Sequence, residues 1–323
     1  MKVEEKLGND PLLSIILATD NQERVATVID SLSAQTIAKK MEMVLVMSTP
    51  ADAQTRARLE ESFHSLNVIH VASVAPLSRA RAQGVRAARG ELVFIAETHA
   101  YPDPSLAEKL VGALSDDWSL VVPGFRNANP ESALSWAGFL SDYGAWADIL
   151  PAGETERPPS HDAAFRRAAL LEFGDRLEHA LTFGDEMYTT LKARGHRAYF
   201  EPTARIQHVN VTRFRPWMHE RYLSGVLIGG YRSARWGLLR RVVYALGSPL
   251  IPFVILSRIR KGVREATHGQ ALPSFTMSAL VLGTVFKSVG EMRGYLLGVS
   301  DSAEEGMTGF EVRKLAFNSG EES

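Results

Sequence analysis

The sequence predicts an α/β fold, with a mainly parallel sheet covered by helices on both faces. Through the first 125 residues, short apolar runs of strand length alternate with longer segments that have helical spacing. Strands that are continuously apolar are typical of a sheet buried on both sides, and their alternation with helices favours parallel pairing. At 323 residues and 45% hydrophobic composition, the chain can bury a large core without disulfides.

Five strands are predicted in this first part, at residues 12–19, 43–47, 67–71, 91–96 and 119–122. Helices are predicted between them, at residues 21–33, 51–66, 78–89 and 104–114. Ligands of such sheets bind at the carboxyl ends of the strands. We therefore look for functional side chains in the loops that follow Thr19, Met47, Val71 and Ala96.

The pattern changes twice further along the chain. Helices are predicted at residues 131–146, 162–173 and 183–194, and a short strand at 196–200. Beyond residue 213 we expect a long helix over 216–236, followed by uncharged runs at 242–257 and 266–286. The predicted divisions are an N-terminal tail (1–10), two halves of one catalytic domain (11–125 and 126–212), a helical extension (213–300) and a polar tail (301–323).

Composition excludes several classes of protein. The chain has no Cys, which excludes disulfide scaffolds, thiolate zinc sites, iron–sulfur clusters and a Cys nucleophile. A net charge of −1 argues against a protein that is basic throughout and coats nucleic acid. The first ten residues, MKVEEKLGND, are charged and lack an apolar core, so we expect no secretory signal. The expected location is the cytoplasm or the cytoplasmic face of a membrane.

A candidate metal site follows the fourth predicted strand. Glu97 and His99 lie two residues apart just past the strand end, so both side chains can point at one ion. A divalent ion that bridges two phosphates needs such ligands. The alternative is that both side chains are simply solvated in a loop.

The order of several motifs resembles the nucleotide-sugar half of family 2 glycosyltransferases, which have the GT-A (Rossmann-like) fold. The matching segments are 14–21 (SIILATDN), 31–35 (SLSAQ), 80–84 (ARAQG), 88–91 (ARGE) and 97–99 (ETH). In the second half, 161–167 (HDAAFRR), Asp185-Glu186 and His208 match the acceptor segment, the general-base pair and a late metal-binding His. Together these segments cover roughly residues 10–210.

The resemblance implies a role for each matching residue. It implies that the donor is bound by Thr19, Asp20, Arg79, Arg81 and Glu97. It also implies that His161 and Asp162 lie on the acceptor side. Asp185 or Glu186 would be the catalytic base, and Glu97, His99 and His208 would bind the metal. Arg81 and the ion would stabilise the leaving diphosphate. The implied activity is inverting transfer from a UDP- or GDP-sugar to a polysaccharide, glycolipid or other envelope glycan acceptor.

The sequence departs from the family pattern at two places. Residues 47–49 (MST) stand where the family has acidic residues, so Asp20 or Asp52 would have to contact the base. His99 replaces a carboxylate of the usual D-x-D, which favours Mn²⁺ over Mg²⁺. A catalytically degenerate member that binds a nucleotide sugar or a partner enzyme is the alternative. A nucleotidyltransferase of similar fold is less consistent with the sequence. Its first loop is usually rich in glycine, whereas residues 19–24 contain none.

Charge is unevenly distributed, and this predicts a membrane-associated extension. Residues 205–265 hold 12 Lys and Arg and only two acidic residues, among aromatic side chains and beside the apolar runs. This combination suits peripheral, monotopic binding to an anionic membrane surface on its cytoplasmic face. The alternative is that these helices are ordinary core. No nucleic-acid motif accompanies the basic block. We expect Glu291, in the tail segment 291–298 (EMRGYLLG), to pair with one of the arginines.

Overall fold

A computed structural model describes residues 10–115, 117–156, 158–182, 184–267 and 271–319. The chain divides into two compact units, the first formed by residues 1–126 and 150–207 and the second by 127–149 and 208–323. Of the tail predicted at residues 1–10, residues 1–9 lie outside the described residues. The last four residues of the predicted polar tail also lie outside them.

The described residues form one nine-stranded sheet, which confirms the predicted fold class. Its strands are β1 (Leu13–Thr19), β2 (Met41–Met47), β3 (Ser65–His70), β4 (Leu92–Ala96), β5 (Ala100–Pro102), β6 (Leu120–Asn127), β7 (Gly153–Glu154), β8 (Ala164–Arg166) and β9 (Ala198–His208). The order is β3-β2-β1-β4-β8-β6-β9-β5, with β7 beside β9. Strands β1 to β4 pair in parallel, whereas β8 is antiparallel to β4 and β6.

Helices connect the strands of the first unit and make up most of the second. They are α1 (Ala26–Ser33), α2 (Ala53–Ser62), α3 (Leu77–Ala87), α4 (Leu106–Ala113), α5 (Ala133–Asp142), α6 (Arg167–Leu171), α7 (Leu177–Thr182), α8 (Gly184–Ala193), α9 (Phe214–Ser233), α10 (Leu238–Gly247), α11 (Ile251–Ala266), α12 (Thr276–Leu297), α13 (Asp301–Val312) and α14 (Lys314–Ser319). Short 3₁₀ helices lie at Glu23–Val25, Ala38–Lys40, Gly144–Trp146, Gly174–Arg176 and Ser248–Leu250.

Two glycines explain why the motifs in the first unit need a residue without a side chain. A Cβ on Gly84 of α3 would lie 2.4 Å from a methyl carbon of Ile16, so the glycine lets α3 pack directly on β1. A Cβ on Gly90 would lie 2.8 Å from Ser14 Oγ. Instead, the Gly90 N–H donates to that oxygen, and the Ser14 hydroxyl donates to buried Glu42 at 2.5 Å. These contacts fix the start of β4, whose end carries Glu97.

The structure corrects several predicted elements. The helix predicted at 162–173 is wrong at its start, because residues 164–166 form strand β8 and α6 begins only at Arg167. A three-residue strand is too short to show a period of two. The strand predicted at 196–200 extends to His208. Within the second uncharged run, α12 starts at Thr276, after Phe275 in a left-handed conformation.

In the second unit, α9 and α12 pack with their backbones nearly in contact. A Cβ on Gly225 of α9 would lie 2.0 Å from the Lys287 carbonyl oxygen, and glycines of α12 make the reciprocal approach. Glu291 also joins the two helices. Its Oε2 lies 3.8 Å from Arg232 Nη1 and accepts a hydrogen bond from the Tyr295 hydroxyl at 3.1 Å. The expected pairing of Glu291 with an arginine of the basic block is therefore confirmed.

The apolar extension forms an exposed surface on the second unit. Among the described residues, one stretch, Leu238–Ser257, is long and apolar enough to cross a membrane, judged by length and composition alone. It comprises α10, the 3₁₀ turn Ser248–Leu250 and the start of α11. Only 17% of it is buried, so these helices are not ordinary core.

Candidate functional site

The candidate metal ligands meet at the carboxyl ends of two strands of the sheet. Glu97 directly follows β4, His99 comes two residues later, and His208 is the last residue of β9. All three side chains are buried, and one ligand atom from each lies within 4.8 Å of the others. A carboxylate with two imidazoles is a donor set for a divalent transition-metal ion, so the chemistry of these residues fits a metal site.

The two oxygens of the Glu97 carboxylate face different partners. Oε2 lies 3.4 Å from His99 Nε2. Oε1 lies 3.3 Å from Arg81 Nη2 and 3.3 Å from His161 Nε2. Arg81 is itself buried on α3. The guanidinium therefore compensates the buried carboxylate and leaves a cationic group beside the candidate metal site.

Asp162 supports Glu97 from a turn that precedes β8. Its Oδ1 accepts the backbone N–H of Glu97 at 3.1 Å, and its own N–H donates to the Ile95 carbonyl at 2.6 Å. The residue has φ +49°, a conformation that Asp and Asn tolerate better than most residues. Burial, together with the nearby charge of Glu97, raises the pKa of Asp162 well above its usual value.

His161 and Asp162 therefore both contact Glu97, next to the candidate metal ligands. Their predicted role on the acceptor side stays a prediction. What the sequence does not reveal is that a single turn with positive φ brings both side chains back to the end of β4.

The loop after β1 holds the predicted donor residues Thr19 and Asp20. Thr19 is buried, and its hydroxyl donates to the Asn21 carbonyl at 2.9 Å. Thr49, which follows β2, donates its hydroxyl to the Asp20 carbonyl at 2.7 Å. Asp20 Oδ1 is buried and has no hydrogen-bond partner within the described part of the chain. The loops after β1 and β2 are thus joined.

Asp52, the other acid considered for the nucleotide base, caps helix α2. Its Oδ1 accepts the Thr55 N–H at 2.6 Å, and its Oδ2 accepts from the Gln22 amide. The backbone N–H of Thr55 and then the Gln22 amide lower the pKa of Asp52. Helix capping accounts for this residue, so Asp20 is the better placed of the two for a ligand.

The remaining predicted residues lie near the α7–α8 region. Arg79 is exposed and pairs with Glu178 at 3.2 Å. Glu186, on α8, is exposed and lies 3.4 Å from His179 Nε2 and 3.9 Å from Arg176 Nη2. The side chain of Asp185 lies outside the described part of the structure. The choice of base between these two acids stays a prediction.

Sequence reasoning missed a group of polar residues around His208. The His208 ring lies 4.1 Å from the Tyr143 ring, and its Nδ1 is 3.1 Å from Asn210 Oδ1. The only sequence signal is the spacing H-x-N at a strand end, where residues two apart share a face.

Comparison of the sequence with protein families gives the class of this protein. Residues 14–173 match the family model described as glycosyl transferase family 2. The chain therefore carries a family 2 glycosyltransferase domain, as the motif order indicated. No curated protein sequence matches the chain.

Three solved structures are similar to this chain at low sequence identity. A mannosyltransferase, PcManGT from Pyrobaculum calidifontis, in complex with GDP-Man and Mn²⁺, is 19% identical, with a TM-score of 0.50 over 95% of this chain and 87% of that one. S. aureus TarS 1–349 with UDP is 14% identical, with a TM-score of 0.47 over 86% and 90%. GalNAc-T7 with UDP, GalNAc and Mn²⁺ is also 14% identical, with a TM-score of 0.48 over 82% and 56%.

Proposed function

We propose that this protein is an inverting, metal-dependent glycosyltransferase that uses a UDP- or GDP-sugar. The observation that carries the proposal is the buried set Glu97, His99 and His208, with Arg81 beside Glu97. A divalent ion bound there would supply Lewis-acid stabilisation of the departing diphosphate. The presence of GDP-Man and Mn²⁺ in the mannosyltransferase of similar fold makes GDP-mannose the first donor to test.

Arg81 has a defined task in this mechanism. Its buried guanidinium lies 3.3 Å from Glu97, a candidate metal ligand, and would there face the negative charge of the leaving diphosphate. A fixed cation in a site shielded from water stabilises developing charge more than it would in solvent. Asp162 holds the backbone of Glu97 and so keeps the metal ligand oriented.

The proton of the acceptor hydroxyl requires a base on the opposite side of the donor sugar. Asp185 and Glu186, at the start of α8, are the candidates. The imidazole of His179 lies 3.4 Å from the Glu186 carboxylate. A glycan or lipid-linked acceptor of an envelope polymer remains our proposal for the second substrate.

The proposal is tested by nucleotide binding and by slow hydrolysis of nucleotide sugars. With Mn²⁺ present, UDP or GDP at 100 times its Kd should stabilise the full chain by about 2.7 kcal/mol. Donor hydrolysis should then identify the sugar without a known acceptor. If no nucleoside diphosphate shifts Tm with any divalent ion, the proposal is wrong.

Variants separate the roles within the same assay. Glu97→Gln should abolish the Mn²⁺-dependent shift, whereas Glu60→Gln, an exposed residue of α2, should not change it. Loss of the catalytic base, by Asp185→Asn or Glu186→Gln, should lower turnover by about 10²–10⁴-fold with nucleotide binding intact. Nucleotide binding with no turnover of any donor would identify the degenerate, non-catalytic alternative.

We also propose that the second unit binds an anionic membrane surface peripherally, on the cytoplasmic face. Large apolar side chains of α10 and α11 are exposed, including Leu238, Leu239 and Leu246 at 75–79%. An exposed apolar surface of this kind marks an interaction site. Arg240 lies 4.0 Å above the Trp236 ring, next to this surface. Aromatic and cationic side chains beside an apolar face are typical of interfacial helices.

Vesicle binding tests this second proposal. Replacing Leu238, Leu239 and Leu246 with Ser together should weaken partitioning to vesicles that contain phosphatidylglycerol by at least tenfold, since each buried Leu contributes about 1.5–3 kcal/mol. The matched control is Ile149→Ser, which changes an exposed apolar residue outside these helices. Equal partitioning of the triple variant and the wild type would contradict membrane binding through α10.

A further inference from the structure

A chain of side-chain amides lies behind His208 in the second unit. Asn210 is buried two residues after His208, at the point where β9 has ended. Its Oδ1 lies 3.1 Å from His208 Nδ1, and its Nδ2 donates to Asn127 Oδ1 at 3.0 Å and to the His208 carbonyl at 3.2 Å. The Ser135 hydroxyl also donates to Asn127 Oδ1, at 2.8 Å. The amide of Asn210 thus touches both the ring and the backbone of the histidine.

These partners fix which atom of the Asn210 amide faces the histidine ring. A backbone carbonyl can only accept hydrogen bonds, so the amide group near the His208 carbonyl must be the NH₂. The oxygen therefore faces Nδ1, and Nδ1 must carry the proton. In the neutral ring the lone pair is then on Nε2, which becomes the nitrogen available to a metal. An outer hydrogen bond of this kind orients histidine ligands in metalloproteins.

Two further asparagines hold the backbone of Asn210. The Asn129 Oδ1 accepts the Asn210 N–H at 3.0 Å, and the Asn129 Nδ2 donates to the Asn210 carbonyl at 2.6 Å. From α14, the Asn318 Nδ2 donates to the same carbonyl at 3.0 Å. The Asn318 Oδ1 accepts the N–H and the hydroxyl of Thr212, at 2.9 and 3.1 Å. The segment after His208 is therefore clamped from both sides.

The helix that carries Asn318 is itself anchored by packing. Phe317 stacks on Phe310 of α13 with ring centroids 5.1 Å apart. Phe310 belongs to a buried cluster that includes Val211, which lies within the clamped segment, and Trp217, which follows it in sequence. The C-terminal helix α14 is thus joined to the region around residues 210–212 by both apolar and polar contacts.

We propose that Asn210 is a positioning residue that sets the tautomer of His208, and that Asn318 makes the C-terminal helix part of this support. The proposal rests on the proposed metal site, because its benefit to function is a preoriented Nε2. It also extends that site, since a helix more than one hundred residues away in sequence would then tune metal affinity.

The tautomer can be read in the metal-free protein by ¹⁵N NMR with labelled histidine. The His208 signals are assigned by their loss in His208→Gln. We expect wild-type His208 to be protonated at Nδ1, and Asn210→Ala to give a mixture of both tautomers. Asn67→Ala, the same change on strand β3, is the matched control and should leave the His208 signals unchanged.

Mn²⁺ affinity, measured by titration calorimetry with the metal alone, gives the second readout. Asn210→Ala should weaken binding by about tenfold, the usual lower range for outer-shell partners. Asn318→Ala should weaken it by about threefold, since it acts on Asn210 only through backbone hydrogen bonds. Asn67→Ala should bind Mn²⁺ like the wild type.

The two readouts distinguish failure of this proposal from failure of the metal site. If wild type binds no Mn²⁺, the metal site is wrong, and the tautomer of Asn210→Ala still decides the positioning role. If Asn210→Ala keeps the Nδ1–H tautomer, or if Asn67→Ala loses as much affinity as Asn210→Ala, the positioning role is wrong.

Discussion

Each of the two units holds an aspartate with a shifted pKa, and the shifts have opposite signs. Asp162, in the first unit, is 1% exposed, and its pKa lies well above the usual value. Asp142, in the second unit, keeps 34% of its side chain exposed, and its pKa is lowered to about 2. The two residues have the same carboxyl group, so the difference comes from what surrounds each one.

Asp142 is paired directly with a guanidinium. Arg221 donates Nη1 to Oδ1 at 2.9 Å and Nη2 to Oδ2 at 2.5 Å, a bidentate pair. Desolvation alone would raise the pKa of Asp142, but the charge and the hydrogen bonds of Arg221 outweigh it. The guanidinium also contacts buried Glu220, whose pKa is raised by its own desolvation and by Asp142. This cluster is satisfied internally, which indicates a structural role.

Asp162 is not bonded to a guanidinium among the described residues, and Arg81 acts on it only through its charge. Its nearest ionisable neighbour is another carboxylate, Glu97, and its Oδ2 is buried without a hydrogen-bond partner among the described residues. Glu97 Oε1 lies 3.3 Å from Arg81 Nη2. A buried carboxyl group that is not itself paired with a cation suits a site that receives one. Direct pairing with a cation, rather than burial, therefore distinguishes the Asp142 cluster from the candidate site.

The larger effect is expected at Asp142. Asp142→Asn should destabilise the protein at pH 7 by about 1 kcal/mol, once the pKa shift is discounted for partial exposure. Because the folded-state pKa is depressed, this stabilisation is present above the unfolded value of 3.8 and is lost as pH falls through about 2. Guanidinium unfolding of both proteins at several pH values measures it.

Asp30→Asn is the control for this prediction, because Asp30 forms a pair with Arg58 in which both side chains are largely exposed. That variant should change stability by less than about 1 kcal/mol. A difference between Asp142→Asn and the wild type that stays constant from pH 7 to pH 2 would mean that the Arg221 pair does not shift the pKa of Asp142.

The sequence predicted the sheet well where apolar runs are long. The runs at residues 12–19, 43–47 and 91–96 are strands β1, β2 and β4, shifted by at most two residues at either end. Strand β8 was missed because its three residues gain their pairing from neighbours distant in sequence. The start of helix α12 could not be predicted, because hydropathy does not report the left-handed conformation of Phe275.

The candidate site was predictable where it depends on the motifs. Glu97 and His99 could be read from their place after a strand, and His208 followed from the resemblance. The hydrogen bonds that hold these residues in place could not be predicted from the sequence. They depend on the amide of Asn210 and on the positive φ of Asp162. The contact of Asp162 with the Glu97 N–H leaves no signal in polarity or spacing, and that of Asn210 with His208 leaves only the spacing H-x-N.

The smaller effect is expected at Asp162, and it has the opposite sign. The pKa of Asp162 is higher in the folded protein than in the unfolded one, where it is about 3.8. In protein freed of metal by a chelator, the stability of the wild type should therefore fall as the pH rises from 3.8 through the folded-state pKa. Asp162→Asn removes the charge but keeps an oxygen for the Glu97 N–H and a residue that tolerates φ +49°. We therefore expect Asp162→Asn to be more stable than wild type at pH 7, by less than about 1 kcal/mol, with no gain near pH 4.

Asp162→Ala is the matched control for the backbone contact. It also removes the charge, but it loses the hydrogen bond to Glu97 and places Ala at positive φ, so it should be less stable than Asp162→Asn at every pH. If Asp162→Asn instead destabilises the metal-free protein most strongly at pH 7, Asp162 is ionised and paired there. The contrast with Asp142 would then disappear, because both units would hold a compensated carboxylate.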